Sequence, residues 1–295
     1  MYDDVVLNEY GFFTLKTLPT DEERETYYRK KYYQANSCGY STYYLPQELE
    51  LFNAKLEQKL LLIKQHINTP LRDYSFLDVG CGEGFALAYF KNKGFSVLGL
   101  DYSSAGIKNH NVDILNNAIF GDVYDSISNL IAGGKSFDVV NLDNVLEHVP
   151  DPKRLLEQIY KLVTEGGIVI IKVPNDFSVL HKYLIENGIV SKPHWVATLD
   201  HISYFNRDGL IKICDAAGLT NVDLLGNYMT EFFILNPNTN YLENPSAGKS
   251  CHLARVAQEN IFHSISPDKT IELYRLLGKM GLGREIIGVF KKLRR

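Results

Sequence analysis

The stretch Phe76 to Phe90, FLDVGCGEGFALAYF, constrains this chain more than any other. An apolar run ends at Asp78, glycines stand at Gly80, Gly82 and Gly84, and apolar residues then return at helical spacing. That order reads as a buried strand, a turn of bare backbone and the start of a helix. Glycine lets the main chain approach a ligand closely, and the first turn of the following helix offers unpaired N–H groups. In a sheet with helices on both faces, ligands lie beyond the carboxyl ends of the strands, where this turn would sit.

The rest of the middle of the chain agrees with such a sheet. Short β-branched runs at 74–79, 95–100, 137–142 and 167–173 alternate with helix-like segments, the pattern of parallel strands covered on both faces. Runs at 222–225 and 231–235 are the expected closing strands. Before the sheet, VVLNEYGFFTL reads as a hairpin, Thr20 and Glu23 have capping-box spacing, and Pro46 opens a helix with leucines and isoleucines three and four residues apart. Residues 236–250 read as a loop, two helices are expected after it, and the basic tail VFKKLRR reads as a helix end with some potential to touch an acidic membrane surface. AGKS at 247–250 lacks the upstream glycine of a phosphate loop, since that position is Glu243, and is assigned to the loop. The division expected is an N-terminal cap or lid over 1–70, a core over 71–236, and a C-terminal loop with helices over 237–295.

Composition excludes several classes. The 295 residues carry a net charge of −4 and no long apolar run, so neither a polyanion footprint nor stable membrane insertion is expected, and MYDDVVLNEY has acids where a signal peptide has bases. A cytoplasmic protein that does not bind nucleic acid is the expectation. Cys38, Cys81, Cys214 and Cys251 lie far apart with no C-x-x-C pair, which favours reduced thiols over zinc or disulfides.

The glycine turn departs from the dinucleotide pattern G-x-G-x-x-G, because the third position is Phe85 and the third glycine is Gly84. It suits a ligand with an amino acid rather than a pyrophosphate at this end. The second strand ends at Asp101, where a carboxylate can accept two hydrogen bonds from a ribose diol, and Gly121 and Asp122 place another acid beside the same cleft, although aspartate is also a favoured helix N-cap.

Together with FDVVNLDNVLEHVPDPKRLLEQI, KVPND and HISYFNRDGLIKICDAAGL, these motifs resemble class I S-adenosylmethionine-dependent methyltransferases over about Phe76 to Leu235. The LEHVPDP version is similar to the subgroup that includes quinone-biosynthesis and sugar methyltransferases, among them those of bacterial surface polysaccharides. The resemblance implies an α/β fold with a doubly wound, mostly parallel seven-stranded Rossmann-like sheet, a helical N-terminal cap and C-terminal helices. It implies that S-adenosylmethionine is held by Asp78, Gly80, Gly82, Gly84, Asp101, Tyr102, Asp122, Val123, Leu142 and Asp143. The expected acceptor is a hydroxyl of a sugar, nucleotide sugar or similar small molecule; a quinone precursor or other small aromatic is the alternative. An NAD-dependent oxidoreductase or epimerase is opposed by Phe85 and LEHVPDP, and a silent cofactor-binding subunit would require dispensable acceptor-side residues.

An alcohol must lose its proton to accept a methyl group, and histidine with a carboxylate is suited to take it near neutral pH. His201 beside Asp200 is the first choice of base and His148 the second, with Glu147 a neighbouring candidate. A divalent metal on Asp143, Asp200 or His201 is the competing device, which the sequence does not itself indicate. Tyr40, Tyr43 and Tyr44, in a tyrosine-rich stretch, and His194 with Trp195 are expected to close over the acceptor. The sequence leaves the oligomeric state open, a homodimer included.

Overall fold

The structure is a computed structural model and describes residues 3–20, 22–23, 41, 43–67, 74–198 and 200–292. Strands β1 (Val5–Leu7) and β2 (Phe13–Leu15) form the expected N-terminal hairpin. Thr20 and Glu23 exchange the capping-box bonds, Thr20 N–H to Glu23 Oε2 at 2.8 Å and Glu23 N–H to Thr20 Oγ1 at 3.2 Å. Tyr27 to Tyr40 lie outside the described residues. Helix α1 (Pro46–His66) begins with proline in its first turn, and Glu48 Oε2 accepts from Leu45 N–H at 2.8 Å.

The alternating core follows: β3 (Ser75–Val79), α2 (Phe85–Asn92), β4 (Ser96–Asp101), α3 (Ala105–His110), β5 (Ala118–Phe120), α4 (Val123–Ala132), β6 (Phe137–Asp143), α5 (Pro152–Leu162), β7 (Val163–Pro174) and α6 (Val179–Glu186). Then come β8 (Ser203–Tyr204), α7 (Arg207–Ala216), β9 (Leu219–Gly226), α8 (Gly248–Ile265), α9 (Pro267–Lys279) and β10 (Glu285–Lys292). The large sheet has the order β5-β4-β3-β6-β7-β10-β9, with β10 antiparallel to both neighbours, and β1-β2-β8 form a small antiparallel sheet.

Both faces of the large sheet are buried, which is why its central strands are apolar almost throughout. Leu77, Val79, Val140, Leu142, Val169, Ile171, Ile286 and Phe290 point to α4, α5 and α7, where Ile127, Leu155, Ile159 and Leu210 meet them. Phe76, Val97, Val139, Ile168, Ile170, Ile287 and Val289 point the other way, to Leu60 and Ile63 of α1, Leu87 and Phe90 of α2, and Ile271 and Tyr274 of α9. Burying a side chain of this size contributes roughly 1.5–3 kcal/mol.

Three local expectations are corrected. The strand between β7 and β9 is Glu285–Lys292, so the tail read as a basic helix end is a sheet strand, and it comes from outside the stretch 71–236 assigned to the core. Residues 231–235, read as a closing strand, begin instead within a short 3-10 helix, Thr230–Phe233. AGKS runs into the first turn of α8 rather than lying in a loop. Among the described residues, no helix is long and apolar enough to cross a membrane.

Candidate active site

A cavity of about 1740 Å³ opens along the carboxyl ends of β3, β4 and β6 and extends between α1 and α8. Its first wall is the glycine turn. Gly80, Gly82 and Gly84 all have positive φ, at 72°, 52° and 77°, where a side chain would be strained. A Cβ on Gly80 would also stand 2.4 Å from Val145 Cγ2. Gly80 and Cys81 donate to Leu100 O at 2.7 and 3.0 Å, tying the turn to the end of β4. Gly84 does not line the cavity; it caps α2 and packs against Ile107 and Ile114. Another glycine, Gly106 in α3, escaped sequence reasoning: a Cβ there would lie 2.6 Å from Gly82 O, so α3 rests directly on the turn.

Asp101 reaches back into this turn, accepting Gly82 N–H on Oδ2 at 2.8 Å and Ser103 N–H on Oδ1 at 3.0 Å. Burial raises its pKa, and the bonds from Ser103 and Gly82 oppose that rise. Tyr102 lines the cavity and is largely exposed. Asp122 is the N-cap of α4, its Oδ1 accepting from Tyr124 and Asp125 at 2.8 and 3.0 Å; it lines the cavity together with Val123.

Beneath the turn runs a chain of buried polar groups. Asp78 Oδ1 accepts from Asn141 Nδ2 at 2.7 Å, and Lys59 of α1 donates to Asn141 Oδ1 at 2.9 Å and to Asp143 Oδ2 at 2.5 Å. Lys172 lies 3.6 Å from the same Asp143 oxygen and 3.5 Å from Glu285. Burial pushes Asp78 up to about 7, opposed by the Asn141 bond and helped by the Asp143 charge. Asp143 is held down to about 2: burial would raise it, but Lys172 and then Lys59 outweigh that. Leu142 is wholly buried in the core and does not line the cavity, so its side chain contributes packing.

At the far end of β6, Glu147, His148 and His201 bring their ligating atoms within 4.8 Å of one another. Glu147 is 1% exposed, and neither carboxylate oxygen finds a hydrogen-bond partner among the described residues. Burial therefore keeps its pKa well above the ordinary carboxylate range. His148 has its pKa lowered by burial, which outweighs the nearby Asp200. Asp200 has a second histidine within reach. It reaches His148, with its backbone oxygen 2.7 Å and its Oδ1 3.6 Å from Nδ1. His201 arrives because Ile202 and Ser203 donate to Glu147 O at 2.8 and 3.1 Å, and its ring meets that of His148 at 4.9 Å.

The metal ligands expected from sequence, Asp143, Asp200 and His201, are not brought together, since Asp143 is held by two lysines; among the described residues, Glu147 with the two histidines is the set that could hold a divalent cation.

The lid is also redrawn. Tyr44 lines the cavity and bonds Glu83 Oε1 at 2.7 Å, its ring against Phe52 and His110, whereas Tyr43 is 68% exposed. Tyr40 lies outside the described residues. His194 and Trp195 do not line the cavity; Trp195 is buried against Phe177 and stacks on His181 at 3.9 Å. Lys59 was missed although a signal existed: it falls on the apolar stripe Leu56, Leu60 and Ile63 of α1, where a lysine needs a buried partner.

Comparison with known proteins places these features. The chain is 27% identical to a ubiquinone biosynthesis O-methyltransferase of Aromatoleum aromaticum over 59% of its own length and 78% of that protein's. It is 28% identical to the protein of the same name from Pasteurella multocida, over 62% and 83%. The crystal structure of a SAM dependent methyltransferase from Archaeoglobus fulgidus shares the fold at a TM-score of 0.52 and 18% identity, covering 83% of this chain and 94% of that one. The family described as Methyltransferase domain matches residues 40–224, from the end of the tyrosine-rich segment through the glycine turn to β9. With more than half of its length matched, the chain belongs to this family and is an S-adenosylmethionine-dependent methyltransferase.

Proposed function

We propose that this enzyme methylates a hydroxyl of a small aromatic acceptor, of the kind a quinone precursor presents. The observation that carries the reading is the cluster of the buried Glu147 with the half-buried His148 and His201 at one end of the cavity, with the glycine turn along its wall. The names of the relatives favour this acceptor over the sugar hydroxyl expected from the tyrosine-rich segment, most of which lies outside the described residues.

The residues present fit the donor. Asp78 is a buried acid with one oxygen on Asn141 and, among the described residues, no cation bonded to it, which suits an α-amino group; Gly80 and Gly82 give bare backbone, and Asp101 and Asp122 are acceptors for hydroxyls and an exocyclic amine. S-adenosylmethionine supplies an already activated methyl group. The chain has to hold the acceptor oxygen in line, exclude water and take a proton.

A phenolic hydroxyl is acidic enough for a neutral histidine to share its proton, and burial keeps His148 neutral at physiological pH. His148, oriented by Asp200, and His201 are the proton acceptors in this reading, and the protonated Glu147 carboxyl donates a hydrogen bond that fixes the acceptor. Tyr44, anchored to Glu83, closes the donor end against water. The test is methyl transfer from isotopically labelled S-adenosylmethionine to a panel of catechols and nucleotide sugars. Product from catechols supports the reading, and product from the sugars alone overturns it.

A further inference from the structure

The cavity has a second polar wall, well away from the glycine turn, that the methyl transfer does not use. Lys55 of α1 and Arg255 of α8 face each other there, and both line the cavity. Between them lies Glu259, wholly buried, with Lys55 Nζ 3.5 Å and Arg255 Nε 3.6 Å from its Oε2. Tyr274 donates to Oε1 at 3.2 Å. Two cations thus stand around one carboxylate oxygen, both too far for a good hydrogen bond. Arg255 Nε is buried and finds no acceptor among the described residues. A buried guanidinium N–H without an acceptor is costly, so the arrangement is incomplete at Nε.

The surrounding charges do not complete it. Glu48 at the rim is taken by His252, 2.6 Å from its Oε1. Glu285 is bonded by Asn227 and paired with Lys172 at 3.5 Å. Along this wall Lys55 and Arg255 share the Glu259 carboxylate, while Glu285 and Asp143 are held by Lys172 and Lys59. The cavity volume also exceeds the roughly 300–1,000 Å³ of an ordinary small-molecule site, so an acceptor can extend beyond the cofactor toward α8.

We infer that Lys55 and Arg255 form an oxyanion-binding subsite, and that the acceptor carries a carboxylate or phosphate group there while presenting its hydroxyl to Glu147, His148 and His201. The planar guanidinium suits bidentate capture of either anion, and the ammonium adds a mobile point charge. The inference deepens the aromatic reading above and rests on it only for the hydroxyl end. One chemistry has two sources, a benzoate-type carboxylate or the diphosphate of a nucleotide sugar.

The test uses the full chain saturated with S-adenosylhomocysteine and titrated calorimetrically with 3,4-dihydroxybenzoate, catechol and UDP-glucose. At least one anionic probe is expected to bind ten- to a hundredfold tighter than catechol, the share of a hydrogen bond to a charged group. Arg255→Gln and Lys55→Gln should each remove most of that advantage and leave catechol binding within about threefold. Preference for the benzoate assigns the site to a carboxylate, and preference for UDP-glucose to a diphosphate. Lys55 is the more exposed of the pair, so Lys55→Gln keeps the test valid should Arg255→Gln fail to fold. Equal binding of charged and neutral probes, or loss of both together in the Lys55→Gln protein, overturns the subsite and leaves the two cations as neutralisers of Glu259. The aromatic reading fails separately: anions would bind through Arg255 while no catechol is methylated.

Discussion

Replacing Lys59 by Met tests the polar chain under the glycine turn. The ammonium is almost wholly buried and bonded to Asp143 and Asn141. Holding the Asp143 carboxyl at about 2 instead of 3.8 corresponds to roughly 2 kcal/mol, at 1.36 kcal/mol per factor of ten in acidity. Lys172 shares that work from 3.6 Å, so the mutation removes about half of it, ~1 kcal/mol. Asn141 Oδ1 also loses its donor, a further ~1–3 kcal/mol for a buried acceptor left unpaired. A total of about 2–4 kcal/mol lowers the melting temperature by roughly 3–6 °C in a chain of this size.

The electrostatic part has a defined pH window. Asp143 is depressed in the folded state, so its contribution is present above about pH 4 and is lost as the pH falls through the folded value near 2. Melting curves of both proteins from pH 3 to pH 8 should therefore converge partly at the acid end. The double variant Lys59→Met with Asp143→Asn should recover part of the loss, because it no longer strands a charge. A penalty that is the same at every pH and unchanged in the double variant would refute the charge argument and leave only packing.

Gly106→Ala should weaken S-adenosylhomocysteine binding by tenfold or more with little change in melting temperature, because its Cβ meets the backbone oxygen of Gly82, which no side-chain rotation relieves; calorimetry checks it, and unchanged affinity rejects the contact. His148→Ala and His201→Ala should each lower turnover about a hundredfold while leaving cofactor affinity unchanged. Because burial lowers the His148 pKa, wild-type turnover should stay level from pH 8 down past 6.5 and fall only at more acid pH. EDTA should leave the rate unchanged; loss restored by magnesium would make Glu147 and the two histidines ligands instead of proton carriers. Tyr44→Phe should raise the cofactor dissociation constant several-fold, since Glu83 loses the phenol bonded at 2.7 Å, and an unchanged constant would reduce Tyr44 to packing.

What could be seen in the sequence divides along physical lines. Strands expected at 74–79, 95–100 and 137–142 fall within a residue of Ser75–Val79, Ser96–Asp101 and Phe137–Asp143, because burial on both faces leaves an apolar run that turns punctuate. β10 was hidden because insertion between two distant strands has no local signal, and its lysines, at the end of the sheet, imitate a helix terminus. Residues 231–235 have strand composition, yet Glu231 is drawn inward to Arg284 at 3.0 Å and the backbone there turns. In the site, the cavity-lining Asp78, Gly80, Gly82, Asp101 and Asp122 were legible because each stands in a contiguous motif at the end of its strand. The contact of Asp200 with His148 was not legible, because it joins residues fifty-two positions apart, through the Asp200 backbone oxygen at 2.7 Å and its Oδ1 at 3.6 Å. Lys59 lies eighty-four residues from Asp143, and only the break it makes in an apolar stripe pointed to it.

The late position of β10 gives this enzyme an order of assembly. During synthesis, β3 to β7 leave the ribosome first and can pair in parallel, but β7 and β9 remain two open edges until residues 285–292 emerge. An open edge is a template for pairing with other chains, so the nascent protein passes through an interval of exposure that ends only when this strand docks. The same event delivers Glu285 to Lys172 and Arg284 to Glu231. A chain interrupted before that point therefore lacks Arg284 and Glu285 of the cavity lining as well as the strand that joins β7 to β9.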